Sequence, residues 1–314
     1  MASRRSRRKK KKGGAVKSFF SAIVVLAIVG GGGWYLYQGN NDGADDYSPV
    51  SDLVPELTRD SDGEPVIEDD NHMFEVKCEM EAIETRLYST EGAELEKVMV
   101  EEYTKLAKTL TGPIPSLEAR SRMLVTFHQL TDELFLGTNH NKFNGNYVVL
   151  VGDNFAKIAS RQKCSIELIW KLNDLQSGTT KLHPGDNLKV PGGKPSVVVR
   201  KRDYTTSIYL GAYMVRQYIV AHGKNNNTPL GKTTITSMGI DPEKGMGRNV
   251  KEMKLRWIGL AQYGGNRKGI GFHGTQYPES IPGQTSKGCM RMQDGDVLEL
   301  YDIIRIGNKV EVRA

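Results

Sequence analysis

Cysteine is scarce in this sequence of 314 residues, which contains only Cys78, Cys164 and Cys289. Three scattered cysteines are too few for a disulfide framework, and an odd number leaves at least one thiol free. We expect Cys164 to be a small apolar residue of the core. The sequence also lacks a P-loop and clustered metal-ligating residues, so we predict no nucleotide, no metal and no other cofactor.

The net charge of +6 does not describe any one part of the chain, because the charged residues are divided into blocks of different sign. Residues 1–17 hold nine basic residues and no acid, residues 42–70 hold eleven acids and one base, and residues 71–314 hold 33 bases and 26 acids. The densest basic run is a low-complexity tail beside an apolar segment, which is not the pattern of a nucleic-acid-binding surface. We therefore predict no nucleic-acid partner.

Charged residues are absent between residues 18 and 41. The apolar core of this stretch, residues 19–37, would be roughly 28 Å long as a helix, close to the ~30 Å of a bilayer's hydrocarbon core. We predict a cytoplasmic basic tail over residues 1–14 and a single transmembrane signal anchor over residues 15–37, with the remaining chain outside the cytoplasm. A cleaved signal peptide is the alternative, because the strongly apolar part is short and small residues follow it.

The next two segments differ in apolar content. Residues 38–72 are acidic, contain three prolines and have few apolar residues, so they predict a linker that cannot bury enough surface to fold. Residues 73–145 place apolar residues three and four apart, with a break at Gly112-Pro113, which predicts a helical spacer built around a hairpin. Within it, His128 has no partner at metal-ligand spacing and is predicted to be a packed helix residue.

Residues 146–191 have the pattern of a compact β-α-α-β unit. A strand begins at Tyr147, two short helices follow, and a turn at Pro184-Gly185 leads into the second strand. This pattern resembles a LysM module over its whole length, which implies binding to glycan that contains N-acetylglucosamine. The implied contacts lie in the loop after the first strand, at Gly152, Asp153 and Asn154. The alternative is a spacer without a ligand.

Residues 196–314 are rich in β-branched and aromatic runs, which predict a mainly-β domain, an antiparallel sandwich or a barrel-like fold. Only one group of residues in the chain has the composition of an active site, namely His273 with Cys289 sixteen residues later. A neighbouring imidazole can take the proton of a thiol and return it to a leaving amine, which suffices for acyl transfer. The two residue types alone leave coincidence as the more common explanation.

The sequence around this pair is more specific. His273-Gly274-Thr275, followed by Ser286-Lys287-Gly288-Cys289-Met290-Arg291-Met292, resembles the active-site signature of YkuD-type L,D-transpeptidases. Thr228-Pro229-Leu230-Gly231 resembles a turn of the same family, and the resemblance extends over residues 196–314. It implies that Cys289 is the nucleophile that forms a thioester, that His273 is the general base and acid, and that the Gly274 carbonyl orients the imidazole.

The resemblance also implies a set of substrate contacts: Arg291, Ser286, Lys287 and Gly288. Arg291 would face a substrate carboxylate, where its planar fork suits bidentate contact. Ser286 and Gly288 belong to the loop that shapes the oxyanion site, with Gly288 turning its N–H toward the oxyanion. Lys287 stands where many family members have a second histidine, and it could lower the pKa of Cys289, meet an anionic substrate or face solvent.

The same resemblance implies a peptidoglycan L,D-transpeptidase that the LysM module targets to the wall. The thiolate would attack the amide between the third stem residue, a diamino acid, and the terminal D-alanine, and the thioester would pass to a neighbouring stem as a 3→3 cross-link. An L,D-carboxypeptidase, a transferase that anchors proteins to peptidoglycan, and a non-catalytic wall-binding protein are the alternatives. We expect a single-pass protein of a bacterial cell membrane with peptidoglycan and the membrane as partners, and with its catalytic domain in the periplasm or cell wall.

Overall fold

The computed structural model describes residues 70–240, 254–264 and 269–314, apart from Pro113, Pro115 and His140. The predicted basic tail, the predicted signal anchor and the predicted linker up to residue 69 lie outside the described residues. Within the described ranges, no helix has the length and the apolar character that a membrane crossing requires.

Three helices occupy the predicted helical region: α1 (Asp70–Ser89), α2 (Gly92–Leu110) and α3 (Leu117–Thr131), the last followed by a π-helical turn (Asp132–Leu136). The predicted hairpin corresponds to α2 and α3, and α1 is an additional helix that starts inside the predicted linker. Ser116 caps α3 by accepting a hydrogen bond from the Ala119 N–H at 3.0 Å, which satisfies one of the free N–H groups of the first turn. The buried faces of α2 and α3 are apolar, at Leu106, Leu110, Phe127 and Leu130 among others.

A βααβ unit follows, in the predicted order: β1 (Asn144–Val148), α4 (Phe155–Gln162), α5 (Ile166–Leu172) and β2 (Asn187–Pro191). β1 and β2 pair antiparallel. Each helix begins at a side-chain cap, Asn154 for α4 and Ser165 for α5. Cys164, in the turn between the helices, is fully buried, and burial raises the pKa of its thiol to about 12. It is therefore an inert core residue, as predicted.

Among the described residues from Pro195 onward, the strands form one mixed ten-stranded sheet, and one α-helix, α6 (Asp294–Ile303), accompanies it. The strands are β3 (Pro195–Arg200), β4 (Thr205–Leu210), β5 (Tyr213–Ile219), β6 (Ala221–Gly223), β7 (Gly231–Ile240), β8 (Lys254–Leu260), β9 (Gly271–Gly274), β10 (Gly283–Ser286), β11 (Met290–Met292) and β12 (Lys309–Arg313). Their order in the sheet is β10-β6-β11-β9-β8-β7-β12-β3-β4-β5. The mainly-β prediction is confirmed. The prediction of antiparallel pairing throughout is wrong, because β10–β6, β11–β9 and β12–β3 are parallel neighbours.

The helical region covers the β5 edge of this sheet. β5 is the last strand in the order, and α3 packs against it. Arg120 of α3 donates to the Leu110 carbonyl at 3.1 Å and to Gln217 Oε1 on β5 at 2.8 Å. His128 Nε2 lies 3.0 Å from the Gln217 carbonyl, so His128 is a packed helix residue, as predicted. An edge strand covered in this way is protected from pairing with other chains.

The stability of this interface should depend on pH through His128. Burial and, after it, the charge of Arg216 lower the pKa of His128 from 6.5 to about 4. Between these values the unfolded chain binds a proton that the folded chain does not, so the free energy of unfolding falls as the pH drops. We expect urea unfolding to show a loss of about 2 kcal/mol from this group between pH 7 and pH 5. The His128→Gln variant, which cannot titrate, should lose correspondingly less, and identical pH dependence in both proteins would contradict this assignment.

Charged side chains join the helical region, the βααβ unit and the sheet at one point. The Arg216 side chain on β5 is only 2% exposed and contacts Asp132 at 2.5 Å and Glu299 of α6 at 2.9 Å. Tyr218 donates to Glu299 at 2.8 Å, and Lys171 of α5 lies 3.4 Å from the same carboxylate. Burial opposes ionisation of Glu299, but the charge of Arg216 prevails and lowers its pKa to about 2. We name Arg216, Asp132, Glu299, Tyr218 and Lys171 the junction cluster.

Two further contacts hold the βααβ unit against its neighbours. Lys189 of β2 is fully buried, and its Nζ donates to the carbonyls of Gly137 at 2.6 Å and Asn139 at 2.5 Å, just after the π-helical turn. On the side of the sheet, Asn308 Nδ2 donates to the Lys163 carbonyl at 2.8 Å. Together with the junction cluster, these bonds connect the unit to the helices on one side and to the sheet on the other.

Candidate active site

Strand pairing brings the side chains of His273 and Cys289 to one face of the sheet. β9 and β11 are parallel neighbours, and His273 lies opposite Arg291. Residues opposite each other on adjacent strands point to the same face, as do residues two apart on one strand. Cys289 directly precedes β11 and is two residues from Arg291, so the strand alternation, continued by one residue, places its side chain on the face of Arg291 and His273. The opposite face is apolar and fully buried, at Phe272, Met290 and Met292.

His273 is held in one orientation by its neighbours. It is 3% exposed, and its Nδ1 lies 2.7 Å from the Gly274 carbonyl oxygen. Because a carbonyl oxygen only accepts, Nδ1 carries the proton of the neutral ring and Nε2 keeps its lone pair. Trp257, opposite His273 on β8, stacks on the imidazole with ring centroids 6.3 Å apart. This arrangement leaves Nε2 as the basic nitrogen, which the predicted roles of His273 and Gly274 require.

Hydrogen bonds from Ser286 and Thr228 fix the loop that carries the thiol. Ser286 Oγ donates to the Cys289 carbonyl at 2.7 Å and accepts from the Gly288 N–H at 3.0 Å. Thr228 Oγ1 donates to the Gly288 carbonyl at 2.7 Å. Gly288 has a φ of 147°, and a Cβ at this position would lie 3.1 Å from the Asn227 carbonyl oxygen. The position therefore requires glycine for its conformation and for the close approach of the backbone.

The other predicted substrate contacts, Gly288, Arg291 and Lys287, have three different environments in the structure. The Gly288 N–H, which we predict to face a developing oxyanion, instead donates to Ser286, because that hydroxyl lies inside the turn. Arg291 is 8% exposed and lies beside His273. Lys287 is exposed. The fold thus places Arg291 with the reactive pair and leaves Lys287 at the surface.

The environment of Cys289 determines the protonation state of its thiol. The side chain is half-buried, and the thiol donates a hydrogen bond to the Gly269 carbonyl at 3.5 Å. Burial raises the pKa of Cys289 above its ordinary value, although the Gly271 N–H and the charge of Arg291 oppose that rise. The resting thiol is therefore protonated near neutral pH and needs a base before it can attack a carbonyl. On this face of the sheet, His273 Nε2 is suited to be that base.

Trp257 is a residue of the site whose contact with His273 the sequence did not predict. A tryptophan in an apolar strand predicts a core residue, and Trp257 is indeed 5% exposed. Its ring also flanks the imidazole of His273, and its Nε1 donates to Ser237 Oγ at 3.2 Å, which fixes the indole. The contact between Trp257 and His273 depends on the register of β8 against β9, for which the sequence carries no local signal.

Two protein-family models match the chain. The model of the L,D-transpeptidase catalytic domain (YkuD) matches residues 194–312, and that of the LysM domain matches residues 147–191. The putative L,D-transpeptidase YqjB of Bacillus subtilis is 32% identical over 124 residues, which cover 38% of this chain and 70% of YqjB. The chain belongs to the YkuD family of L,D-transpeptidases.

Other proteins resemble this L,D-transpeptidase family member at lower identity. The putative L,D-transpeptidase YkuD of Bacillus subtilis is 29% identical over 174 residues, which cover 53% of this chain and 97% of YkuD. An L,D-transpeptidase structure from Mycobacterium smegmatis aligns with a TM-score of 0.31 and 14% identity over 58% of this chain and 94% of that one. One from Xylanimonas cellulosilytica aligns with a TM-score of 0.31 and 19% identity, and the match spans 38% of this chain and 61% of that one.

In the LysM domain of this L,D-transpeptidase family member, Gly152, Asp153 and Asn154 lie in the loop after β1. The Asp153 carboxylate accepts a hydrogen bond from the Tyr147 hydroxyl at 2.6 Å and pairs with Arg161 at 2.5 Å. The bond from Tyr147 is the main cause that lowers the pKa of Asp153 to about 2. Asn154 caps α4. Asp153 and Asn154 are thus engaged within the protein, and sugar contact by this loop stays a prediction.

Proposed function

We propose that this protein is a peptidoglycan L,D-transpeptidase that forms 3→3 cross-links through a thioester on Cys289. The observation that carries the proposal is the pairing of His273 on β9 with Arg291 on β11, two residues after Cys289, together with the bond from His273 Nδ1 to the Gly274 carbonyl, which makes Nε2 the basic nitrogen. Membership of the L,D-transpeptidase family supports the reaction class. The LysM domain supports peptidoglycan as the substrate.

The first half-reaction forms the thioester. His273 Nε2 takes the proton of the Cys289 thiol, and the thiolate attacks the carbonyl carbon of the third stem residue. When the tetrahedral intermediate collapses, the C–N bond to D-alanine breaks, and His273 returns its proton to the leaving amine. D-alanine departs and the acyl group stays on sulfur. The Arg291 guanidinium is placed to pair with a carboxylate of the stem peptide.

The second half-reaction transfers the acyl group. The side-chain amine of a neighbouring stem attacks the thioester carbonyl, His273 accepts a proton from the attacking nitrogen, and the thiolate of Cys289 leaves. Water as the acceptor would make the enzyme an L,D-carboxypeptidase, and a protein amine would make it an anchoring transferase, because all three acceptors attack the same thioester. The LysM domain favours the stem amine, since binding of the glycan raises the local concentration of neighbouring stems.

We propose the same topology for the chain that its charge pattern predicts. Residues 1–14 remain in the cytoplasm of a bacterial cell, residues 15–37 anchor the protein in the membrane, and the acidic segment after them spans the distance to the folded ectodomain. The support is the uncharged apolar stretch beside a basic tail. Helices α1 to α3 belong to the folded part, since α3 packs on β5 of the sheet. The active site then lies in the periplasm or cell wall.

Mass spectrometry of the full-length protein incubated with a defined disaccharide-tetrapeptide tests this function. We expect an adduct on Cys289 with the mass of the substrate less D-alanine, free D-alanine, and a cross-linked dimer. The Cys289→Ala variant should give none of these and should still bind purified sacculi. Release of D-alanine without a dimer would identify a carboxypeptidase. Sacculus binding with neither adduct nor D-alanine would contradict the enzymatic function and leave a wall-binding protein.

A further inference from the structure

Lys201 is a buried cation that has no role in the reaction described above. It directly follows β3 and is 7% exposed. Its Nζ donates hydrogen bonds to the Asn226 side-chain oxygen at 3.0 Å and to the Thr228 carbonyl at 2.7 Å. Both of these partners are neutral. Burial of an ammonium group is unfavourable and lowers the pKa of Lys201, so a neutral side chain of similar length would fill this space more favourably.

The segment that Lys201 contacts has a backbone conformation that its residues do not favour. We call residues 224–228, which lie between β6 and β7, the β6–β7 turn. Asn225 and Asn226 are both in the left-handed region, with φ of 50° and 57°. This region is unfavourable for residues other than glycine, although asparagine tolerates it better than most. Such a segment persists only where its surroundings fix it, and the two bonds from Lys201 stabilise this one.

Thr228 connects the β6–β7 turn to the thiol loop, residues 286–289. Its Oγ1 accepts from the Gly223 N–H at 2.8 Å and donates to the Gly288 carbonyl at 2.7 Å. The backbones of β6 and the thiol loop also lie close together, because a Cβ at Gly223 would be 2.8 Å from Gly288 Cα. Since Gly288 directly precedes Cys289, a displacement of Thr228 moves the segment that carries the nucleophile.

The backbone of Lys201 is itself fixed by the sheet. Its N–H donates to the Arg313 carbonyl on β12 at 3.1 Å, and His222 Nε2 on β6 lies 3.0 Å from its carbonyl oxygen. The Tyr204 ring stacks on the His222 imidazole with centroids 5.1 Å apart. Lys201 therefore contacts two strands through its backbone and the β6–β7 turn through its side chain.

We propose that Lys201 is a positioning residue, whose ammonium group holds the β6–β7 turn so that Thr228 fixes the thiol loop in the place from which Cys289 reacts. The inference rests on the proposed function, in which Cys289 is the nucleophile. Lys201 acts through Thr228 and Gly288, and it neither contacts the substrate nor transfers a proton. Its loss should therefore slow the chemical step and leave substrate binding unchanged, since a small misplacement of a reacting atom lowers the rate steeply.

Hydrogen exchange of the full-length protein, followed by mass spectrometry of its peptides, tests the structural part of this proposal without any peptidoglycan substrate. The Lys201→Met variant removes the donors and keeps an unbranched side chain. We expect about tenfold faster exchange in residues 222–228 and 286–292, because bonds from a charged donor are lost there. Exchange in the LysM domain should be unchanged. Lys309→Met is the matched control, since Lys309 is exposed at the start of β12, and it should exchange like the wild type.

The Thr228→Val variant tests whether Lys201 acts through the turn. It removes the hydroxyl that bonds to Gly288 and leaves Lys201 in place. We expect faster exchange of the thiol loop, and a double variant with Lys201→Met should exchange no faster there than Thr228→Val alone. Additive effects, or unchanged exchange of the thiol loop in Lys201→Met, would overturn the proposal. Unchanged exchange of that loop in Thr228→Val would overturn it as well, even if Lys201→Met does not fold.

Single-turnover acylation by the disaccharide-tetrapeptide measures the consequence for the reaction. In Lys201→Met we expect the maximal rate to fall about tenfold and the half-saturating substrate concentration to stay within about twofold of the wild-type value. An unchanged maximal rate, or a changed half-saturating concentration alone, would overturn the positioning role. If the wild type is not acylated, the proposed function fails, whereas the exchange experiment still decides whether Lys201 holds the thiol loop.

Discussion

Replacing His273 with glutamine is expected to slow acylation of Cys289 by about 10²–10⁴-fold, the range that general bases contribute. Burial raises the pKa of the Cys289 thiol, so without the imidazole the thiolate is scarce near neutral pH. Single-turnover acylation with the disaccharide-tetrapeptide, followed by mass spectrometry, measures the rate directly. Raising the pH should restore part of the rate in His273→Gln, because hydroxide then removes the thiol proton.

The His183→Gln variant is the control for this experiment. His183 belongs to the LysM domain, and its side chain is 79% exposed, so its loss should leave both folding and acylation at wild-type levels. Binding of His273→Gln to sacculi should also be normal, since the LysM domain is untouched. Acylation of His273→Gln at the wild-type rate would exclude His273 as the general base and leave the thiol to ionise by another route.

Replacing Arg216 with methionine is expected to destabilise the folded part of the protein by about 3 kcal/mol, the lower end of the cost of removing one partner from a buried ion pair. The side chain of Arg216 is 2% exposed, whereas its partners Asp132 and Glu299 are partly exposed, at 47% and 29%. Solvent therefore compensates part of the loss. Urea unfolding of the full-length protein measures the change, and limited proteolysis should show earlier cleavage near residues 137–145.

Arg313→Met provides the matched control for the junction cluster. Arg313 also forms an ion pair, with Glu311 at 2.9 Å, but its side chain is 51% exposed, so the variant should change stability by about 0.5 kcal/mol or less. A triple variant that combines Arg216→Met with Asp132→Asn and Glu299→Gln should recover part of the loss, because it leaves no buried charge unpaired. The charge that remains, on Lys171, is on a side chain that is 45% exposed. Equal, small effects of Arg216→Met and Arg313→Met would show that the cluster does not hold the domains together.

The elements that the sequence predicted correctly are those whose signals are local. Asn154 and Ser165 cap the two LysM helices through bonds to N–H groups three residues ahead, and such caps are readable in any sequence. The additional helix of the helical region, α1, also had a readable signal. Val76, Met80, Ile83 and Leu87 are buried at spacings of three and four, but the acidic composition before them is typical of a linker.

The sequence contains no comparable local signal for the contacts between the domains. Arg216 and Lys189 are charged residues within strands. Nothing adjacent in the sequence shows that Arg216 pairs with Asp132 and Glu299, or that Lys189 donates to the carbonyls after the π-helical turn. Buried polar side chains of this kind are satisfied by groups far along the chain. Their partners become known only when the domains are placed against each other.

By itself the sequence determined which residues can react, because a thiol and an imidazole in a specific signature have the same chemistry in any fold. Only the tertiary structure decided that the strand of His273 lies beside the strand that follows Cys289, since the two residues are sixteen apart in the chain and belong to segments joined by the parallel pairing of β9 with β11. It also placed Trp257 on the imidazole of His273. The physical reason is that strand register and domain docking follow from burial and hydrogen bonding between distant segments, which local propensities do not encode.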